Sequence, residues 1–100
     1  MRSKSVSFAT KEEREFWENS EHSVIHSRRE LLELMNNSNF PITNFTTRAL
    51  YEYIYNVCGV QPGECLVKRR NDSYMHSSYD VTVEIRFKDA YTLSLFKLGQ

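Results

Sequence analysis

The sequence has no excess of charge of either sign, and this lack weighs against one large class of partners. Thirteen Lys and Arg residues balance thirteen Asp and Glu residues, so the formal net charge at pH 7 is zero. Proteins dedicated to nucleic acids are usually basic, because neutralising phosphates supplies much of their affinity. Only a local basic patch is therefore compatible with nucleic-acid binding.

Long apolar runs and glycine are also scarce. No stretch approaches the roughly 18 apolar residues that a membrane span needs, and the Ser-rich start lacks the apolar middle of a secretory signal. We therefore expect no membrane partner and a cytoplasmic location. The three glycines, Gly59, Gly63 and Gly99, lie too far apart to form a phosphate-binding loop.

Cysteine and histidine are too few to predict a metal site. Cys58 and Cys65 flank a turn, and in a cytoplasmic protein we expect both to be reduced, partly buried thiols. His22 and His26 are four residues apart, which on a helix would present both imidazoles to one metal. No acidic residue or cysteine lies at a sequence spacing that would complete such a site, so we expect neither a metal nor a cofactor. The residue types of a nucleophilic site, a Ser or Cys with a base, are present. No spacing in the sequence indicates which of them would act together, so we also expect no enzymatic activity.

The clearest pattern that is present is strict alternation from Tyr79 to Phe87. Because side chains on a strand point to alternate faces, this pattern predicts a half-buried β-strand. One face carries Val83 and Ile85, and the other carries Glu84 and Arg86. The charged face is expected to meet water or a partner.

Helical patterns occupy the first half of the chain. Thr10, with Glu13 three residues later, predicts a capping box at a helix start. Apolar residues at helical spacing then predict either one helix over about 11–35 or two helices with a break near 20–23. Ser27 followed by Glu30 would cap the second of the two.

A further helix is expected to begin after Asn44 or Thr46 and to end at Gly59, where a C-cap glycine belongs. Pro62 and Gly63 then favour a type II turn that reverses the chain.

The remainder of the chain reads as β-structure. We expect strands at 66–70, 79–87 and 91–98. A three-residue connection or a bulge between the last two would set Ile85 opposite Leu93. The predicted fold class is α+β, with two or three N-terminal helices packed on one face of a small C-terminal antiparallel β-sheet in the order α-α-β-β-β. Residues 1–9 are expected to form an N-terminal arm, and residues 10–100 a single domain.

Surplus aromatic residues favour a macromolecular partner, most of all a protein. Tyr51 and Tyr55 lie off the apolar stripe of their helix, and exposed aromatics are enriched at protein interfaces. We expect these two rings to anchor the partner and Arg69, Arg70 and Arg86 to steer it. The chain would then be a non-enzymatic regulator or inhibitor that acts by occupying its partner, as some phage proteins do. The same aromatic residues could instead form the interface of a homodimer.

The alternative function is an RNA- or single-stranded-DNA-binding regulator. Lys68, Arg69 and Arg70 form the strongest basic cluster and lead into a polar segment that contains Tyr74. Cations for phosphates and rings for stacked bases are what a single-strand binding surface needs. Acidic residues interleaved among these cations oppose this alternative.

Overall fold

Four helices and three strands are interleaved along the part of the chain that the structure describes. The computed structural model describes residues 8–40, 42, 45–70 and 82–98. In these ranges no helix is both long and apolar enough to cross a membrane. In chain order the elements are α1 (Lys11–Asn19), β1 (His22–Ser27), α2 (Arg28–Asn37), α3 (Thr47–Asn56), β2 (Cys65–Arg70), β3 (Thr82–Phe87) and α4 (Ala90–Leu98).

The three strands form an antiparallel sheet with β3 in the middle. The strand order is β1-β3-β2, and both Val24 of β1 and Val67 of β2 lie opposite Ile85 of β3. The α+β class is therefore confirmed, as are the strand at 66–70 and the 82–87 part of the strand predicted over 79–87. The remaining part of that prediction, 79–81, lies outside the described residues.

One face of the sheet forms the main core. Val83, Ile85 and Phe87 point to this face and are fully buried. Helices α2, α3 and α4 cover the face with an apolar set that includes Leu31, Met35, Leu50, Tyr53, Ile54 and Phe96. Because each of these helices places only one stripe against the sheet, the core is a single continuous layer.

The opposite face of the sheet is covered by α1, and this differs from two predictions. The Arg86 guanidinium lies 4.3 Å from the centroid of the Trp17 ring and donates to the Trp17 carbonyl. Its Nε also donates to Glu84 Oε2 at 2.8 Å, and both Glu84 and Trp17 are buried. The predictions that this charged face meets water and that all helices share one face are therefore wrong. Helix α1 can cover these charges because Glu84 pairs with Arg86 and the Trp17 ring contacts the guanidinium.

Residues 22–27 form a strand, so the prediction of a helix through 11–35 is wrong. The order α-α-β-β-β is wrong for the same reason, because β1 lies between the first two helices. The β-branched pair Val24 and Ile25 suits a strand, and pairing with β3 overrides the weak helical spacing. The expected cap at Ser27 is confirmed, since Ser27 Oγ accepts from Glu30 N–H at 3.1 Å and Glu30 Oε1 accepts from Ser27 N–H at 2.9 Å.

The last predicted strand is a helix, α4, and the hairpin prediction is wrong. The Asp89 carboxylate accepts from the backbone N–H of Thr92 at 2.8 Å and from its hydroxyl at 2.7 Å, which caps the helix. Thr92 and Phe96, one helical turn apart, are the buried residues of α4. The strand prediction assumed that Leu93 and Leu95, two residues apart, face the core together. Burial in α4 instead follows the four-residue spacing of Thr92 and Phe96.

The local signals around α3 are confirmed. Thr46 is the N-cap, with its side chain accepting from Ala49 N–H at 3.0 Å. Gly59 follows the helix end at φ +81°. Gly63 has φ +91°, and Glu64 N–H donates to the Gln61 carbonyl at 3.1 Å, as in the expected type II turn. This turn brings β2 back alongside α3.

Replacing Arg86 with alanine should destabilise the protein. The change removes an ion pair from a carboxylate side chain that is only 7% exposed and a cation from the face of Trp17. We expect the free energy of unfolding to fall by about 1–3 kcal/mol in urea titrations. The matched control is Arg48→Ala, whose pair with Glu52 is exposed and should be worth less than about 0.5 kcal/mol. Equal losses for both variants would contradict the role assigned to Arg86.

Candidate functional site: a groove at the edge of the sheet

A concave site of about 450 Å³ lies beside strand β2, between α1 and α3. Among the described strands, β2 lies at the edge of the sheet and pairs only with β3, so we name this site the β2-edge groove. Cys65 and Leu66 point to opposite faces of the sheet, so the groove reaches around the edge from one face to the other. Its lining residues are Glu12, Glu13 and Phe16 of α1, Tyr51 and Tyr55 of α3, and Gly63, Cys65 and Leu66.

Tyr51 binds the backbone of the edge strand. The Glu64 carbonyl accepts from Lys88 N–H at 2.8 Å and so faces toward β3, and alternation then turns the backbone groups of Cys65 and Val67 outward. The outward Val67 N–H donates to the Tyr51 hydroxyl at 2.8 Å. An unpaired edge N–H invites another strand, so this bond both protects the edge and fixes the Tyr51 ring in the groove wall.

The two tyrosines form one wall of the groove. Their ring centroids are 5.7 Å apart at an interplanar angle of 33°, and both side chains are half-buried. The expectation that Tyr51 and Tyr55 are exposed is therefore wrong, because both rings also pack against the core. Their predicted role as anchors stays a prediction.

The polar groups of the groove differ in charge. Burial raises the pKa of the Tyr51 hydroxyl to about 12 and also raises the pKa of the Tyr55 hydroxyl. Burial, with a smaller contribution from Cys58, raises the pKa of the Cys65 thiol to about 12. The Ala9 N–H and the Lys68 ammonium bind the Glu13 carboxylate and lower its pKa. At neutral pH these tyrosines and the thiol are neutral, while Glu13 is an anion.

These protonation states limit the chemistry that the groove supports. A cysteine nucleophile needs a lowered pKa, whereas the Cys65 thiol has a raised one. A general acid or base works best with a pKa near the operating pH, and Tyr51, Cys65 and Glu13 are all shifted away from neutrality. These shifts therefore do not activate Cys65 as a nucleophile, nor Tyr51 and Glu13 as acid–base groups at neutral pH.

The predicted basic cluster is divided by the strand that carries it. Lys68 pairs with Glu13 at 3.3 Å and lies 5.2 Å from the centroid of the Phe8 ring. Arg69 points to the other face of the sheet, with its guanidinium 5.9 Å from the centroid of the Phe45 ring. Alternation therefore gives these adjacent cations different surroundings.

Of the other predicted site residues, Arg86 lies apart from the groove, and the Arg70 side chain and Tyr74 lie outside the described residues. Arg86 lies under Trp17, where α1 covers it. Arg70 ends β2.

The histidines and cysteines do not assemble into a metal site in the described part of the chain. His22 and His26 lie on β1, where four residues span about 13 Å, too far for both to bind one ion. Within the described ranges, no group of three or more His, Cys, Asp or Glu residues could hold a metal. Cys58 and Cys65 are buried free thiols.

Sequence reasoning did not place Glu12, Phe16, Gly63 and Leu66 in a site. The available signal was the adjacent pair Phe16 and Trp17, because neighbouring residues on a helix point about 100° apart and cannot both face the sheet. Trp17 is buried against the sheet and Phe16 is left half-buried at the groove.

Comparison with protein-family models found no match, and comparisons with curated proteins and with solved structures gave no significant match either. The function has therefore to be inferred from the groove itself.

Replacing Tyr51 with phenylalanine should weaken the protein and change its response to alkaline pH. The outward Val67 N–H loses its acceptor, which should cost about 1–2 kcal/mol at pH 7. The pKa of Tyr51 is raised in the folded state from 10.0 to about 12, so the folded protein keeps a proton that the unfolded chain releases. This contribution to stability is present below about pH 10 and is lost as the pH rises toward 12.

Urea unfolding of the wild type and Tyr51→Phe between pH 7 and about pH 11 would measure both effects. The difference between the two proteins should shrink as the pH rises. Tyr91→Phe is the control, since the Tyr91 side chain is exposed on α4. A constant difference across this range would contradict the raised pKa of Tyr51.

The Cys65 thiol should react slowly in the folded protein. Its raised pKa and its burial both reduce the thiolate available to an alkylating reagent. With iodoacetamide at mildly alkaline pH, labelling should be at least about 100-fold slower in the folded protein than in urea. Mass spectrometry of the Cys65 peptide would measure both rates, and similar rates would show that the thiol is accessible and reactive.

Proposed function

We propose that this chain is a non-enzymatic binding module that holds a segment of a protein partner in the β2-edge groove. The observation that carries the proposal is the groove itself, a concave site lined by three aromatic rings at the edge of the sheet. Binding sites in proteins are usually concave and mainly apolar, with a few placed polar groups. The groove has this composition and a size within the usual range.

The tyrosines support a role in protein recognition. A half-buried tyrosine has few rotamers to lose on binding, and its ring supplies a large apolar contact beside a polar hydroxyl. Tyr51 is already held in place by its bond to Val67 N–H, so the groove wall needs little reorganisation when a partner binds. Occupation of a partner surface would then make the chain a steric regulator or inhibitor.

The charges at the groove favour a protein over a nucleic acid. Glu12 and Glu13 line it, and carboxylates repel phosphates. Lys68 is engaged by Glu13, which reduces the cationic character of the predicted cluster. Nucleic-acid binding through Lys68, Arg69, Arg70 and Tyr74 remains the alternative and would show a steep loss of affinity with salt.

A capture experiment with matched variants would test this function. Immobilised wild type, Tyr55→Ala and Tyr91→Ala would be incubated with untreated and with nuclease-treated lysate, each at low and high salt. We expect the wild type and Tyr91→Ala to retain the same proteins and Tyr55→Ala to lose them, because Tyr55 lines the groove and Tyr91 does not. Circular dichroism would verify that all three proteins are folded.

Two outcomes would contradict the proposal. Proteins retained equally by all three samples would place binding away from the groove. Recovery of nucleic acid from untreated lysate, with all bound proteins lost after nuclease treatment, would favour the nucleic-acid alternative.

A further inference from the structure

We propose that the β2-edge groove selects a basic segment of the partner by taking an arginine side chain between its tyrosines and its carboxylates. This inference rests on the proposed function, since it specifies the chemistry of the segment that the groove holds. Three features of the groove support it: its acidic residues, its tyrosine rings and its apolar lining residues.

The rim of the groove is acidic. Glu12 and Glu13 follow each other in the first turn of α1, and both line the groove. Glu13 is engaged by Ala9 N–H and by Lys68 Nζ at 3.3 Å. Within the described ranges Glu12 has no ion-pair partner and is exposed, so its carboxylate is available to an incoming cation. A guanidinium suits this position because it can form two parallel hydrogen bonds to one carboxylate.

The rings of Tyr51 and Tyr55 line the same space as these carboxylates. A cation is attracted to the face of a ring, and arginine adds planar stacking to this attraction. Both phenols are neutral at neutral pH, since their ordinary pKa is about 10 and burial raises it further. The chain already uses this contact elsewhere, with Arg86 at 4.3 Å from the Trp17 centroid and Lys68 at 5.2 Å from the Phe8 centroid.

The floor of the groove suits the remainder of an arginine side chain. Phe16 and Leu66 are apolar lining residues against which three methylene groups would pack. The charged head would then lie at the rim, beside Glu12. The same carboxylates would repel an acidic or phosphorylated segment. The groove would therefore select a basic segment over an acidic one by charge.

A displayed library of short random peptides would test the inference directly. Selection on immobilised wild type should enrich peptides with an arginine beside an apolar residue. An enriched peptide would then be synthesised with arginine or with citrulline, which has nearly the same shape but no charge. We expect citrulline to weaken binding by about tenfold in isothermal titration calorimetry, from loss of the ring and carboxylate interactions together.

Charge reversal on α1 supplies the matched protein variants. Glu12→Lys should weaken the arginine peptide by about fivefold or more and leave the citrulline peptide almost unchanged. Glu15→Lys makes the same change on an exposed residue of the same helix that does not line the groove, and it should bind both peptides like the wild type.

The results that would overturn the inference differ from those that would overturn the proposed function. Peptides that need Tyr55 but bind equally well with citrulline would refute the arginine inference alone. Failure to enrich any peptide, or binding unaffected by Tyr55→Ala, would refute both.

Two other occupants would also overturn the inference. A dimer in sedimentation velocity that Tyr55→Ala dissociates would assign the groove to a second copy of the chain. Movement of the Tyr55 resonances on deletion of residues 1–7 would assign it to the chain's own N-terminal segment.

Discussion

The fold depends on the burial of strand β3 on both of its faces. This strand is paired on both sides, and its alternation places Val83, Ile85 and Phe87 on one face and Glu84 and Arg86 on the other. An apolar face can be covered by any amphipathic helix, but a charged face can be covered only when its charges are satisfied. The pair formed by Glu84 and Arg86 under Trp17 meets that requirement and holds α1 against the sheet.

The β2-edge groove is a consequence of this arrangement. With α1 on one face of the sheet and α3 on the other, the edge of β2 lies between two helices and becomes the floor of a cleft. Tyr51 closes part of this edge through the Val67 N–H, so the groove is shaped by side chains and does not present a long open strand. The bond that protects the edge also orients a ring that a partner can contact.

Two of the cations that the sequence analysis singled out are engaged within the fold, which explains why their positions in the sequence were a poor guide to a binding surface. Lys68 pairs with Glu13 and Arg86 with Glu84, and each also lies near an aromatic ring. Because adjacent residues of a strand face opposite sides, Lys68 and Arg69 do not form one patch. The groove takes its acidic character from α1, which is distant in sequence from the tyrosines of α3.

Local chemistry by itself determined part of this protein. The caps at Thr10, Ser27 and Thr46 and the turn at Pro62 and Gly63 depend on backbone and side-chain groups within a few residues of each other. The alternation that predicted β3 is equally local. These features could be predicted because no distant part of the chain is needed to satisfy them.

The tertiary structure decided the remainder. Residues 22–27 are a strand because β3 offers a partner for its edge, and residues 90–98 are a helix because Phe96 packs against Phe87 and His26. The side of the sheet that α1 covers follows from Trp17 meeting Arg86, 69 residues away in the chain. The groove required all of these placements together, since its lining comes from three separate segments whose proximity no local pattern encodes.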